Sequence, residues 1–161
     1  MKNDLKKYFI ITYGCQMNEH DSEKLAGMLE SIGYHKADFV EEADIILINT
    51  CTIRENADLK VFGKVGELKR LKEKNPDLII GVGGCMMQSE KAVQDLYEKH
   101  PQADLIFGTH NIHHVPDLIQ RIQRERGRIV EVWDAEEGLI PDLPSVRESE
   151  FKAWVSIIQG C

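Results

Sequence analysis

Four cysteines carry the first chemical signal in this chain: Cys15, Cys51, Cys85 and Cys161. None forms a CxxC pair, and the first three recur at intervals of 36 and 34 residues. Each of those three follows a short apolar or β-branched run and precedes a stretch with helical periodicity. The interval is about one strand–helix–strand unit. In an open parallel sheet every strand ends on one edge, and ligands bind there. Topology alone would therefore bring three distant thiols to one place. In a reducing compartment such thiols are metal ligands or nucleophiles rather than disulfides. Unrelated cysteines could also be small core hydrophobes, but those have no reason to share one position in three successive units.

The amino ends of helices present unpaired N–H groups and partial positive charge. That setting favours thiolates, and thiolates around an anionic iron–sulfur core gain from the same field. Gly14, Gly83 and Gly84 flank the cysteines and allow close backbone approach to a bulky inorganic ligand. A four-iron cluster takes four cysteines as a rule, so three would leave one iron open to an outside ligand. The rival is zinc held by three cysteines and one of His20, His110, His113 or His114. Structural zinc sites use local cysteine pairs, which this chain lacks. A cysteine nucleophile accounts for only one of the three positions. The pattern favours iron–sulfur over zinc, and zinc over a nucleophile.

The elements that must place these thiols are legible. Tyr8–Tyr13 reads as a strand. Asn18 reads as the N-cap of a helix with Leu25, Met28, Leu29 and Ile32 on one face, stopped at Gly33. Asp44–Ile48 and Leu78–Val82 are apolar runs suited to strands covered on both faces. Between them a helix from about Arg54 to Lys74 turns Ala57, Val61, Val65, Leu68 and Leu71 inward. A helix over Glu90–Lys99 (Val93, Leu96 and Tyr97 inward), a strand over Asp104–Phe107, a helix carrying Val115, Leu118, Ile119 and Ile122, and a strand over Arg128–Trp133 follow. This alternation predicts an α/β fold: an open, mostly parallel, Rossmann-like sheet flanked by helices, with right-handed crossovers.

That domain is expected over 1–133. Residues 134–150 turn acidic, with Gly138, Pro141 and Pro144, and read as a linker. Residues 151–161 open a new apolar strand, Phe151–Ile158, that ends in Cys161, so the natural protein is expected to continue. Of the 161 residues 42% are hydrophobic, enough for a core, and the net charge is −7. An acidic chain is a poor general binder of nucleic acid. No apolar run reaches the roughly 18 residues of a membrane span and no signal core follows the charged start, so a cytoplasmic, non-membrane protein is expected.

Other features weigh less. Gly81-x-Gly83-Gly84 lacks the third glycine of a dinucleotide fingerprint. Arg54 could offset cluster charge or pair with a carboxylate. Asn18, Asn49 and Gln88 flank the cysteines and could bond cluster sulfurs, although helix capping is the safer reading. His113 and His114 read as a polar helix start. Lys60, Lys64, Lys69, Arg70, Lys72 and Lys74 read as a solvated helix face. Arg121, Arg124, Arg126 and Arg128 form a basic cluster that could meet nucleic-acid phosphate.

Four ordered blocks carry a resemblance: Thr12–Glu19 with Asp21–Glu23, Asn49–Glu55, Gly83–Gln88 and Phe107–Asn111. Together they resemble the methylthiotransferases of the radical S-adenosylmethionine class, over the whole chain. The resemblance implies three parts in the full enzyme: this α/β domain, a radical barrel, and a small RNA-binding β-barrel. It implies that Cys15, Cys51 and Cys85 hold an auxiliary 4Fe–4S cluster, the carrier of the inserted sulfur. Cys161 would be the first ligand of a second, radical-generating 4Fe–4S cluster that also uses S-adenosylmethionine. The other ligands of that cluster are absent here, so this fragment alone is expected to be inactive. The first and last blocks resemble the branch that methylthiolates isopentenylated adenosine next to the tRNA anticodon. Sister branches act on threonylcarbamoyl-adenosine in tRNA or on a ribosomal protein. The tRNA partner would be held mainly by the absent parts, and a monomer is expected.

Overall fold

The computed structural model describes residues 5–51, 57–134, 143–147 and 150–151. Six strands, β1 (Lys7–Thr12), β2 (His35–Lys36), β3 (Ile45–Thr50), β4 (Ile79–Gly84), β5 (Leu105–Phe107) and β6 (Ile129–Glu131), form one sheet in the order β2-β1-β3-β4-β5-β6. Every pairing is parallel. The Rossmann-like α/β arrangement expected from the alternation is therefore the one observed. Four helices connect the strands: α1 (Gln16–Ser31), α2 (Ala57–Lys74), α3 (Glu90–Lys99) and α4 (Val115–Glu125). Among the described residues no helix is long and apolar enough to cross a membrane.

All six residues of β3 and all six of β4 are buried, as their unbroken apolar runs require when both faces are covered. Alternation along each strand splits the core in two. Ile45, Leu47, Ile79, Leu105 and Phe107 pack with α1 and α4 through Leu25, Leu29, Val115, Leu118 and Ile119. Ile46, Ile48, Ile80, Val82 and Ile106 pack with α2 and α3 through Val61, Val65, Leu68 and Leu96.

Several expectations shift. Strands β3 and β4 run two residues further than their apolar cores, through Asn49–Thr50 and Gly83–Gly84. Consequently Gly81-x-Gly83-Gly84 lies within β4 rather than in a phosphate-binding turn. The N-cap of α1 is Cys15, not Asn18, which stands three positions later. Tyr97 is 46% exposed instead of inward, because its ring serves as a platform for the Arg128 guanidinium 3.9 Å away. Helices α3 and α4 follow successive steps in one direction along the sheet, yet cover opposite faces. Those two crossovers therefore have opposite hands, and the uniform handedness expected does not hold. Placing α4 beside α1 gives each face two helices; otherwise α1 alone would cover one side of six strands.

Residues 143–147, inside the expected linker, lie along α1. The Val146 amide donates to the Glu23 carbonyl oxygen at 3.0 Å, and Leu143 and Val146 pack on the α1–α4 core. Gly27 makes this contact possible, since a Cβ there would stand 2.3 Å from the Pro144 carbonyl oxygen. The strand expected at Phe151–Ile158 lies outside the described residues apart from Phe151, as does Cys161.

Candidate metal centre at the carboxyl edge

Strands β1, β3 and β4 are direct neighbours, so the turns that follow them lie side by side. Register keeps their ends level: Thr12 faces Asn49, Asn49 faces Gly83, and Thr50 faces Gly84. Cys51 follows β3 directly and Cys85 follows β4 directly, opening a short 3-10 turn (Cys85–Gln88) before α3. Cys15 follows β1 after a two-residue turn and caps α1. Cys51 is buried at 2% exposure, while Cys15 and Cys85 are partly exposed and none of the three is in a disulfide. The thiols thus sit at one edge with two of them turned partly to solvent.

Two glycines set how closely these turns stack. Gly14 has φ +146°, and a Cβ on it would stand 2.6 Å from the Cys51 Cβ. Gly84 has φ +103°, and its Cβ would stand 2.4 Å from the Thr50 carbonyl oxygen. Both conformations favour glycine. The neighbour of Cys15 therefore rests on Cys51, and the neighbour of Cys85 rests on the backbone that leads into Cys51. These glycines were expected to make room for an inorganic ligand; their nearest neighbours are protein atoms of the adjoining turns.

A buried polar network joins the same turns. The Asn18 side chain, fully buried, accepts from the Cys15 amide at 3.2 Å and from the Cys15 thiol at 3.5 Å. Its Nδ2 donates to the Thr50 carbonyl oxygen at 2.7 Å and to Asn49 Oδ1 at 3.2 Å. Asn49 Nδ2 donates back to the Asn18 carbonyl oxygen at 2.8 Å and to Ser22 Oγ at 3.1 Å. Thr50 Oγ1 donates to the Gly83 carbonyl oxygen at 2.7 Å, and the Ser22 and Thr12 hydroxyls are 2.8 Å apart. The capping reading of Asn18 is half right: it serves the helix end and also bridges to β3. Gln88 ties the Cys85 turn to the far side of the sheet, donating to the Trp133 carbonyl oxygen at 3.0 Å and accepting from the Thr109 amide at 3.1 Å.

Sequence reasoning missed Thr12, Ser22 and Thr50. The signal was present: polar side chains at strand ends and on the inner face of a helix need partners, and Thr12 finds Ser22 while Thr50 finds the Gly83 carbonyl oxygen. Arg54 lies outside the described residues. Of the histidines weighed for zinc, His113 and His114 instead pack edge-on against Trp133, with ring centroids 5.5 and 4.5 Å away. His20 leaves Nδ1 buried without a hydrogen-bond partner, and burial holds its pKa below the ordinary value. Among the described residues no three His, Cys, Asp or Glu side chains converge tightly enough to hold one metal ion. The four arginines expected as one patch differ in role. Arg128 is committed to the end of α3, donating to the Ala103, Tyr97 and His100 carbonyl oxygens at 2.8, 2.9 and 3.3 Å.

Comparison with known proteins agrees with the four blocks. The family described as uncharacterized protein family UPF0004 matches residues 7–108, which contain all three cysteine turns. The chain is 56% identical over 156 residues to the tRNA-2-methylthio-N(6)-dimethylallyladenosine synthase of Oceanobacillus iheyensis, covering 97% of this chain and 30% of that protein. It is 53% identical over 156 residues to the protein of the same name from Bacillus licheniformis, covering 97% of this chain and 31% of the relative. With that of Bacillus subtilis it shares 52% identity over 158 residues, 98% of this chain and 31% of the relative. The chain thus spans about 30% of the length of the curated relatives it matches. The resemblance to methylthiotransferases read from the sequence blocks is borne out, and the chain belongs to the uncharacterized protein family UPF0004.

Proposed function

We propose that this chain is the cluster-holding α/β part of an enzyme that methylthiolates dimethylallyl-adenosine beside the tRNA anticodon. Cys15, Cys51 and Cys85 are its ligands for an auxiliary 4Fe–4S cluster. The observation that carries this reading is the delivery of three thiols to the ends of three adjacent strands. The names of the similar proteins support the reaction and the tRNA substrate. S-adenosylmethionine and a second cluster, with Cys161 as its first ligand, belong to the full-length enzyme in this reading. So do a cytoplasmic location, a monomeric state, and a grip on tRNA made mainly outside this acidic domain.

The residues fit such a cluster. Their thiols are soft donors suited to iron–sulfur ligation, they carry no disulfide, and two are partly open to incoming groups. When bound, the cluster supplies the sulfur that replaces a hydrogen on the adenosine ring. The chain's own part is to hold and to orient. Cys51, buried, and Cys15 and Cys85, partly exposed, would together hold the cluster. Three thiolates would leave one iron without a protein ligand, and the partial positive charge at the amino end of α1, which begins beside Cys15, would favour an anionic group there. Arg54, three residues beyond Cys51 in sequence, offers a countercharge in this reading.

The test is substitution in the full-length enzyme. Cys15→Ala, Cys51→Ala and Cys85→Ala should each abolish methylthiolation of tRNA while leaving reductive cleavage of S-adenosylmethionine largely intact. Methylthiolation retained by any one of them contradicts the assignment.

A further inference from the structure

Resting on that cluster reading, we infer that Asn18 is a positioning residue that fixes the separation between Cys15 and Cys51 before a cluster binds. Every hydrogen-bonding group of its side chain is committed. Oδ1 accepts from the amide and thiol of Cys15. Nδ2 donates to Thr50 and Asn49, the two residues that lead into Cys51. An Asn amide has two N–H donors, and both are spent on oxygen acceptors of the β3 end. Asn18 therefore has no donor left for a cluster sulfur. Its contribution is the distance between two ligand-bearing turns.

The network is directional. Asn18 bridges the Cys15 and Cys51 turns, whereas the Cys85 turn is joined to β3 by separate contacts: the Thr50 hydroxyl on Gly83 and the wedge of Gly84 against Thr50. Loss of the Asn18 side chain thus removes the direct bonds between the Cys15 turn and the residues leading into Cys51, while the Asn49 bonds to the Asn18 carbonyl oxygen and to Ser22 still hold α1 to β3. Apolar packing could fill the same volume, but it would not select one spacing; a satisfied buried network does. Stability comes mainly from the two apolar layers beneath, to which Asn18 does not belong.

The experiment compares the wild-type chain, Asn18→Ala and Gln102→Ala after anaerobic reconstitution with ferrous iron and sulfide. Gln102 is a matched control: buried at 8% exposure, with its amide on the Val65 carbonyl oxygen at 3.0 Å, far along the chain from any cysteine turn. The readouts are thermal melting of the apo chain, iron and acid-labile sulfide retained after gel filtration, and the electron paramagnetic resonance of the reduced sample. Asn18→Ala should retain several-fold less iron than Gln102→Ala at comparable loss of melting temperature, and what remains should show an altered signal. Equal loading and identical spectra in the two variants overturn the inference. A wild-type chain that takes up no iron overturns the cluster reading and this inference with it. Should Asn18→Ala fail to fold, Asn18→Leu keeps nearly the same volume, adds no charge and removes the side-chain hydrogen bonds to both turns. It should lose iron in the same way, and wild-type loading by that variant equally contradicts the role.

Discussion

At the amino edge of the sheet, Asp44 accepts the Lys7 amide at 2.8 Å. Asp104 accepts the Ile80 amide at 3.0 Å and the Lys72 ammonium at 2.7 Å. At the carboxyl edge the equivalent places hold Asn18, Asn49, Thr50 and three cysteines. The first edge closes its strand ends with charged groups that neutralise each other. The second closes them with uncharged amides and hydroxyls, and keeps its thiols out of disulfides. Both edges tie backbone groups to side chains; the carboxyl edge also carries the three cysteines. A sheet of this kind thus separates the polar groups that finish the fold from those placed for chemistry.

The glycines sharpen this contrast most. Gly84→Ala at the carboxyl edge meets both a positive φ and backbone 2.4 Å away that cannot withdraw. Strain and overpacking together should cost about 2–5 kcal/mol. Gly127, beside the amino edge, has nothing within 4 Å of a built Cβ; Gly127→Ala should change stability by less than about 0.5 kcal/mol. Chemical denaturation of both variants reads the difference, and equal effects would break the comparison. Next in size is Asp104→Ala, which deprives Lys72 and the Ile80 amide of their shared partner. It should lower stability by about 1.5–3 kcal/mol and leave iron loading of the surviving folded chain unchanged. Loss of iron in that variant would show that the edges are not independent.

Smaller effects lie on the helices. Gly63 and Gly66 in α2 have open space around a built Cβ, so alanine at each should stabilise by about 0.8–1 kcal/mol, seen as a raised denaturation midpoint. The smallest effect concerns pH. Burial lowers the pKa of His20 and of His100 from the ordinary value of 6.5. A His with a depressed folded pKa is held neutral, and the unfolded chain binds the proton more readily. Stability should be level above about pH 6.5 and should fall as pH drops below it. His100→Gln should flatten part of that slope in urea titrations at stepped pH; an unchanged slope contradicts the attribution.

Much of this was legible because the signals are local. The apolar runs at Ile45–Ile48 and Leu78–Val82 announced buried parallel strands, and three cysteines at one unit's spacing announced a shared edge. The extension of β3 and β4 through Asn49–Thr50 and Gly83–Gly84 was not legible. Those polar and glycine residues join the sheet only because their partners arrive from Asn18 and from each other, a tertiary effect that overrides strand propensity. The same reason hid Cys15 as the cap of α1: Asn18 is the better capping type, but its amide is drawn towards Thr50. The two-residue strand β2, His35–Lys36, carries no apolar pattern at all and pairs only at the sheet's margin. The docking of residues 143–147 on Gly27 has a surface appearance in sequence, since Pro144 and its neighbours read as a linker.

The central claim is that three strand ends together present one cluster site. Iron and acid-labile sulfide should be measured on the anaerobically reconstituted wild-type chain and on Cys51→Ala. About four irons and about four sulfides per wild-type chain, with brown colour lost in Cys51→Ala, is the expected result. A colourless wild-type chain that firmly holds a single zinc, or iron retained undiminished in Cys51→Ala, would contradict it.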